Sequence, residues 1–146
     1  GLFHLERALL ASNPVRVALG SDVGGGTSFS PLVTLNEAYK IAQLRGYALT
    51  PHQAFYLATR GSAQAIYQDD HIGSIEPGKE ADLVVFDLAA TPLLAERRKF
   101  TNSLDELLFL LLALGGQPMV RATYVAGNKL FDRDRQPRVQ ASDLAA

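Results

Sequence analysis

The 146-residue chain is 47% hydrophobic and 20% charged, the balance of a soluble globular domain large enough to bury a core. Its formal net charge of −1 offers no electrostatic attraction to nucleic acid or to a membrane surface. With no cysteine there is no disulfide, no thiolate metal site and no thiol nucleophile.

Leu2 to Ala11 suits a short helix with Phe3, Leu5, Leu9 and Leu10 as its apolar positions. Asn13-Pro14 ends it, since the residue before proline is pushed out of the α region. His4, without a second histidine nearby, reads as a surface residue. Val15 to Leu19 alternates with apolar residues on both faces, the pattern of a short strand buried on both sides, as in α/β proteins. Asp22 then falls just past the strand's carboxyl end, where such sheets place their chemistry. Gly24-Gly25-Gly26 lets the backbone take unusual φ angles and approach a ligand closely. The loop carries neither the Lys of a phosphate-binding loop nor a G-x-G-x-x-G at a helix start. A turn-forming role for Asp22 stays open on these grounds alone.

The run Gly20-Ser21-Asp22-Val23-Gly24-Gly25-Gly26-Thr27-Ser28-Phe29-Ser30 resembles the eighth-strand motif of guanine deaminases, in the metal-dependent amidohydrolase superfamily. The resemblance implies that Asp22 binds a catalytic zinc or iron ion and shuttles protons, and it implies this for no other residue of the chain. The cysteine-ligated class of zinc deaminases, with its H-x-E…P-C-x-x-C signature, is excluded by composition.

Ser30 is expected to cap a helix from about Leu32 to Arg45, opened by Pro31 and stopped by Gly46. Its face of Leu32, Leu35, Ala38, Tyr39, Ala42 and Leu44 is expected to pack on a sheet. Thr50-Pro51-His52-Gln53 is a capping box for a second helix through Ala58, which places His52 on the surface. Gly61 to Ile66 is a further short helix of small residues. The element Ile72 to Asp87, with Pro77-Gly78 as its turn and Leu83-Val84-Val85-Phe86 as its strand, resembles one shared by many amidohydrolases, where it belongs to a small β-sandwich. Asp82 and Asp87 therefore read as turn and strand-end residues, and His71 as exposed.

Thr91 to Arg98 is expected to be a loop with a solvated basic run at Arg97-Arg98-Lys99. Ser103-Leu104-Asp105-Glu106 opens a leucine-rich helix to Leu114, stopped by Gly115-Gly116. At roughly eleven residues it is too short to cross a bilayer, which needs ~20. It is buried either in a subunit interface or in the chain's own core. Val120 to Phe131 is a hairpin turning at Gly127-Asn128.

The expected fold is α/β: the C-terminal part of a (β/α)8 TIM barrel, with its last strand and helices, plus part of a small β-sandwich. The expected boundaries are 1–70 for the barrel end, 71–131 for the sandwich portion with an inserted apolar helix at 103–114, and 132–146 for a flexible tail. A chain beginning Gly1-Leu2-Phe3 without Met reads as an internal piece of a longer protein. A whole barrel takes ~250 residues, and the H-x-H, the later histidine ligands and the proton-handling glutamate of the family have no counterpart here. One carboxylate is too few where three or four protein ligands are usual, so the chain alone is expected to be inactive, with an apolar barrel strand inviting self-association. The resemblance implies an enzyme acting on guanine with zinc or iron; with no secretory or targeting segment visible in the sequence, a cytoplasmic setting is expected, as is a homodimer without nucleic-acid or membrane partners. The alternatives are another amidohydrolase, or a non-enzymatic module binding partners through the Leu107 to Leu114 helix.

Overall fold

The computed structural model describes residues 1–22 and 24–135. Six helices and a small sheet follow in the order α1 (Leu5–Leu10), α2 (Pro31–Leu44), α3 (Pro51–Ala58), α4 (Arg60–Ala65), β1 (Leu83–Phe86), α5 (Pro92–Arg98), α6 (Leu104–Leu114), β2 (Val120–Val125) and β3 (Asn128–Asp132).

Helix α2 stops where Gly46 takes a φ of +80°, with the Gly46 amide donating to the Gln43 carbonyl (3.0 Å) and the Tyr47 amide to the Ala42 carbonyl (2.9 Å). These paired bonds satisfy carbonyls that the helix end would otherwise leave open. Ser30 stands at the N-cap but its side chain makes no capping bond; Ser28 Oγ accepts instead from the Ser30 amide (3.0 Å). The Thr50 capping box is complete, with Thr50 Oγ1 accepting from the Gln53 amide (3.3 Å) and Gln53 Oε1 from the Thr50 amide (3.1 Å). At α6, Ser103 Oγ caps the Glu106 amide (3.2 Å), while Glu106 reaches one residue beyond the expected partner, to the Asn102 amide (2.6 Å).

The expected apolar face of α2 buries Leu32, Leu35 and Ala42, but Leu44 is exposed. That face meets α3 and α6 rather than a sheet. Leu5, Leu49, Ala54, Leu57 and Leu112 complete this first cluster. A second cluster gathers Leu94, Leu110, Leu111 and Met119. Helix α6 runs through both, with Leu110 to Leu112 buried and Leu104 exposed. Its burial is thus within the chain, each fully buried leucine contributing about 1.5–3 kcal/mol.

Two segments differ from the expected secondary structure. Val15 to Leu19 forms no strand: the Val15 amide bonds to the Ala8 carbonyl of α1 (2.8 Å), and the Leu19 amide to the Leu57 carbonyl (3.4 Å) and Ser62 Oγ (3.3 Å). Val15 and Ala18 are exposed, so burial on both faces does not hold. A strand needs an adjacent edge to bond to, and none among the described residues lies beside this segment. The region after Thr91 is a helix, α5, because Thr91 Oγ1 caps the Leu94 amide (3.3 Å) and Leu94 is buried. Its basic end is exposed, as expected.

The sheet is antiparallel throughout, in the order β1-β2-β3, with α5 and α6 inserted between its first two strands. The tight turn is Ala126-Gly127 rather than Gly127-Asn128, with φ of +48° and +77°. Positive φ at both central residues matches the right-handed twist of a hairpin. Only one sheet layer is present among the described residues. Of the expected tail, Asp132 ends β3 and Arg133–Arg135 form a 3-10 turn; positions 136–146 lie outside the described residues.

Candidate active site

Asp22 is exposed, at the start of the glycine loop, with a φ of +47°. Its carbonyl accepts from the amides of Gly25 (3.0 Å) and Gly26 (2.5 Å), which folds the loop back over it. One glycine is required by the turn's backbone and a second leaves room for the carboxylate. A Cβ on Gly25 would stand 2.6 Å from Asp22 Oδ2, and one on Gly26 would stand 1.8 Å from the Ser21 carbonyl oxygen. The first clearance keeps the carboxylate's flank open. The second lets the turn close at all. A residue with a side chain at φ +47° is uncommon, though aspartate tolerates it better than most.

The loop hangs from the helices. Arg16 Nη1 donates to the Gln64 carbonyl (2.8 Å) and its guanidinium stands 4.8 Å from the Tyr67 ring centroid. Ser62 Oγ accepts from the Leu19 amide and donates to the Leu57 carbonyl (2.5 Å). Sequence reading gave no role to Arg16, and it placed Ser62 only in the short small-residue helix, without a role.

The histidines are elsewhere. His4 Nδ1 accepts from Arg45 Nε (3.2 Å), and His52 Nδ1 pairs with Asp105 Oδ1 (2.6 Å), tying the starts of α3 and α6 together. His71 is exposed and its carbonyl accepts from the Glu80 amide. Asp82 and Asp87 are structural, as expected: Asp82 Oδ1 accepts from the Ala126 amide at the hairpin turn (2.8 Å), and Asp87 binds the Ala89 amide and Arg133 Nη2. The Arg133 hydrogen bond, with the Ala89 amide, holds the Asp87 carboxyl below the usual range, and Lys129 does the same for Asp132. These are ion pairs of the sheet region and not a catalytic cluster.

Among the described residues no three His, Asp or Glu side chains gather as a metal site would require. The donors present therefore do not by themselves fit a bound metal; Asp22 fits one ligand of a shared site, a hard carboxylate with a cleared flank. Two open clefts of about 340 and 310 Å³ lie against Arg98–Ser103 and across Arg121, Tyr124 and Lys129, and Asp22 lines neither.

The sequence profile described as Amidohydrolase family matches residues 3–131. The chain belongs to the amidohydrolase family. It is 46% identical over 134 residues to the guanine deaminase of Escherichia coli K12, covering 92% of this chain and 30% of that protein. The solved E. coli guanine deaminase superimposes with a TM-score of 0.79 over 82% of this chain and 28% of that one, at 48% identity. A guanine deaminase from Bradyrhizobium japonicum gives a TM-score of 0.79 at 31% identity, over 91% of this chain and 35% of its own. An adenosine deaminase from Xanthomonas campestris, solved with bound zinc, gives 0.60 at 26% identity, over 77% and 25%. The chain thus spans about 30% of the length of the E. coli relative. No described helix is long and apolar enough to cross a membrane.

Proposed function

We propose that this chain supplies one carboxylate-bearing wall of the active site of a guanine deaminase, with Asp22 as metal ligand and proton carrier. One observation carries the reading: the exposed Asp22 carboxylate has its flank held open by Gly25, in a chain 46% identical to a guanine deaminase. In this reading residues 1–70 are the end of a (β/α)8 barrel, with Val15 to Leu19 its last strand once neighbouring strands are supplied, and 71–131 belong to a small β-sandwich. The single sheet β1-β2-β3, with Val84 and Val85 of β1 exposed, is compatible with a second layer packing on it.

The reaction is hydrolysis of the amino group of guanine: water adds at the amino-bearing carbon, the C–N bond breaks, and xanthine and ammonia leave. Zinc or iron, when bound, would supply Lewis acidity and make water acidic enough to attack near neutral pH. Zinc is the ion of the Xanthomonas relative. Asp22 Oδ atoms take a proton from the attacking water and pass it to the departing nitrogen, a role that needs a carboxylate within hydrogen-bond reach of both. The chain's glycine turn orients that carboxylate, and the remaining ligands and the purine contacts come from outside the chain. A homodimer in the cytoplasm is the expected setting.

Helix α6 is no free docking element, since Leu110, Leu111 and Leu112 are core residues; this disfavours the partner-binding module. The remaining alternative is a different amidohydrolase substrate. The test is a panel of guanine, adenine, cytosine and dihydroorotate with the full-length polypeptide carrying this chain. Turnover of guanine at least about 100-fold better than the others is expected, a margin of about 2.7 kcal/mol in transition-state binding. Preference for another member of the panel would replace the substrate assignment.

A further inference from the structure

We propose that α6 is a strap: inserted between strands β1 and β2, it is locked by Asn36 onto α2, the helix that leads out of the Asp22 loop, and so couples the small sheet to that helix. The strap is built from contacts among the described residues, whichever substrate the enzyme takes.

By chain order α6 belongs to the sheet. Strands β1 and β2 are antiparallel neighbours, which a tight turn could join, yet α5 and α6 lie between them. On one side Leu110 and Leu111 pack with Leu94, Met119 and Phe86 of β1. The Asp87 amide, just past β1, donates to the Met119 carbonyl (2.8 Å), which ties the segment after α6 to the sheet. The other contacts of α6 go to the helices. Leu112 shares the first cluster with Leu32, Leu35 and Leu57, Phe109 meets the Tyr39 ring edge-on (centroids 5.6 Å apart), and Asp105 pairs with His52 (2.6 Å).

The lock lies at the carboxyl end of α6, where the last carbonyls have no amide of their own helix to accept from. The Gly115 amide bonds to the Leu111 carbonyl (2.8 Å), and the chain then turns extended, with Gly115 at ψ 148°. Ala113 and Leu114 are exposed, so water reaches their carbonyls. Leu112 is only 1% exposed, and among the described residues no following backbone amide reaches its carbonyl. Asn36 Nδ2 donates to it (3.1 Å) from 76 positions away. Asparagine is a poor residue for a helix interior; in α2 its short amide serves a neighbouring helix. The two helices also approach closely here. A Cβ on Gly115 would stand 2.1 Å from the Leu111 carbonyl oxygen and 2.9 Å from Leu32 Cδ1, so the end of α6 rests on the first turn of α2.

The test uses the full-length polypeptide carrying this chain, in Asn36→Ala, Asn36→Asp and Glu37→Ala forms, with hydrogen exchange followed by mass spectrometry in segments 110–119 and 84–88. Asn36→Ala is expected to quicken exchange about 10-fold in both segments, the scale set by leaving a buried carbonyl without its donor. Asn36→Asp keeps the shape and puts an acceptor where the donor stood, so it should quicken both at least as much. Glu37→Ala, the next residue of α2, is exposed and paired with Lys40 (2.9 Å), and should change neither by more than about two-fold. Parental exchange of 110–119 in both Asn36 variants overturns the lock. Quickening confined to 110–119 overturns the strap, because the loosening would then stop short of the sheet. Equal quickening by Glu37→Ala overturns the assignment to Asn36. Guanine turnover takes no part in the readout, so a failed substrate assignment and a failed strap are told apart.

Discussion

Alanine at position 25 is the sharpest probe of the glycine loop. Gly25 does not occupy the left-handed region, so alanine imposes no backbone strain there. Its Cβ would stand 2.6 Å from Asp22 Oδ2, whereas ordinary contact begins at 3.4 Å, so the carboxylate must yield by about 0.8 Å. A side-chain tip can move that far without unfolding the turn. Misplacement by about 1 Å can cost roughly 100-fold in rate, so a fall of about 10- to 100-fold in kcat/KM for guanine is expected in the full-length enzyme, with far-UV circular dichroism unchanged. Gly26→Ala is different in kind. Its Cβ would stand 1.8 Å from the Ser21 carbonyl oxygen, a backbone atom, so the turn itself must open. Activity and local protection of the loop from hydrogen exchange should be lost together there. Parental turnover and metal content in Gly25→Ala would refute the reasoning, because the carboxylate would then not lie where the loop places it.

Stability predictions follow from the helices and the sheet. Leu112→Ala, at a position 1% exposed, should destabilise by about 2–5 kcal/mol in urea unfolding, and Leu104→Ala, 60% exposed on the same helix, by under about 0.5 kcal/mol. Equal shifts would contradict the placement of α6. Thr50→Ala removes a complete capping box and should cost about 1 kcal/mol, read from the same unfolding midpoint. Asp87 gives the pH dependence. Its folded carboxyl lies below the ordinary value of about 3.9, so its stabilisation is whole above that value and is lost as pH falls through the folded one. Asp87→Asn should therefore be less stable at neutral pH and lose less on acidification than the parent, in thermal melts between about pH 5 and pH 2. Parallel melting curves would contradict the Arg133 pairing.

Local signals were legible where the chain satisfies its own ends. Thr50 with Gln53, Pro31 and Gly46 mark α2 and α3 because caps and stops are made by residues within a few positions of each other. The α5 helix carried the same kind of signal, Thr91-Pro92 with Leu94 three residues after the cap, but its short length and basic end read as loop. Val15 to Leu19 marks the limit of periodicity. Alternation prepares a segment to be a strand, and only an adjacent edge makes it one. For the site, motif likeness marked Asp22, and the glycines beside it could be expected to permit a close turn. Ser62 reaches the Leu19 amide across the fold. Contacts between residues 43 positions apart are set by packing and leave no spacing to read.

The central claim is that Asp22 is a working ligand and proton carrier, and substitution by alanine in the full-length enzyme addresses it directly. Measured together, bound zinc or iron per chain and guanine turnover should both fall in Asp22→Ala, turnover by at least about 1,000-fold, equivalent to about 4 kcal/mol of lost transition-state stabilisation. Parental turnover with a full complement of metal would contradict it.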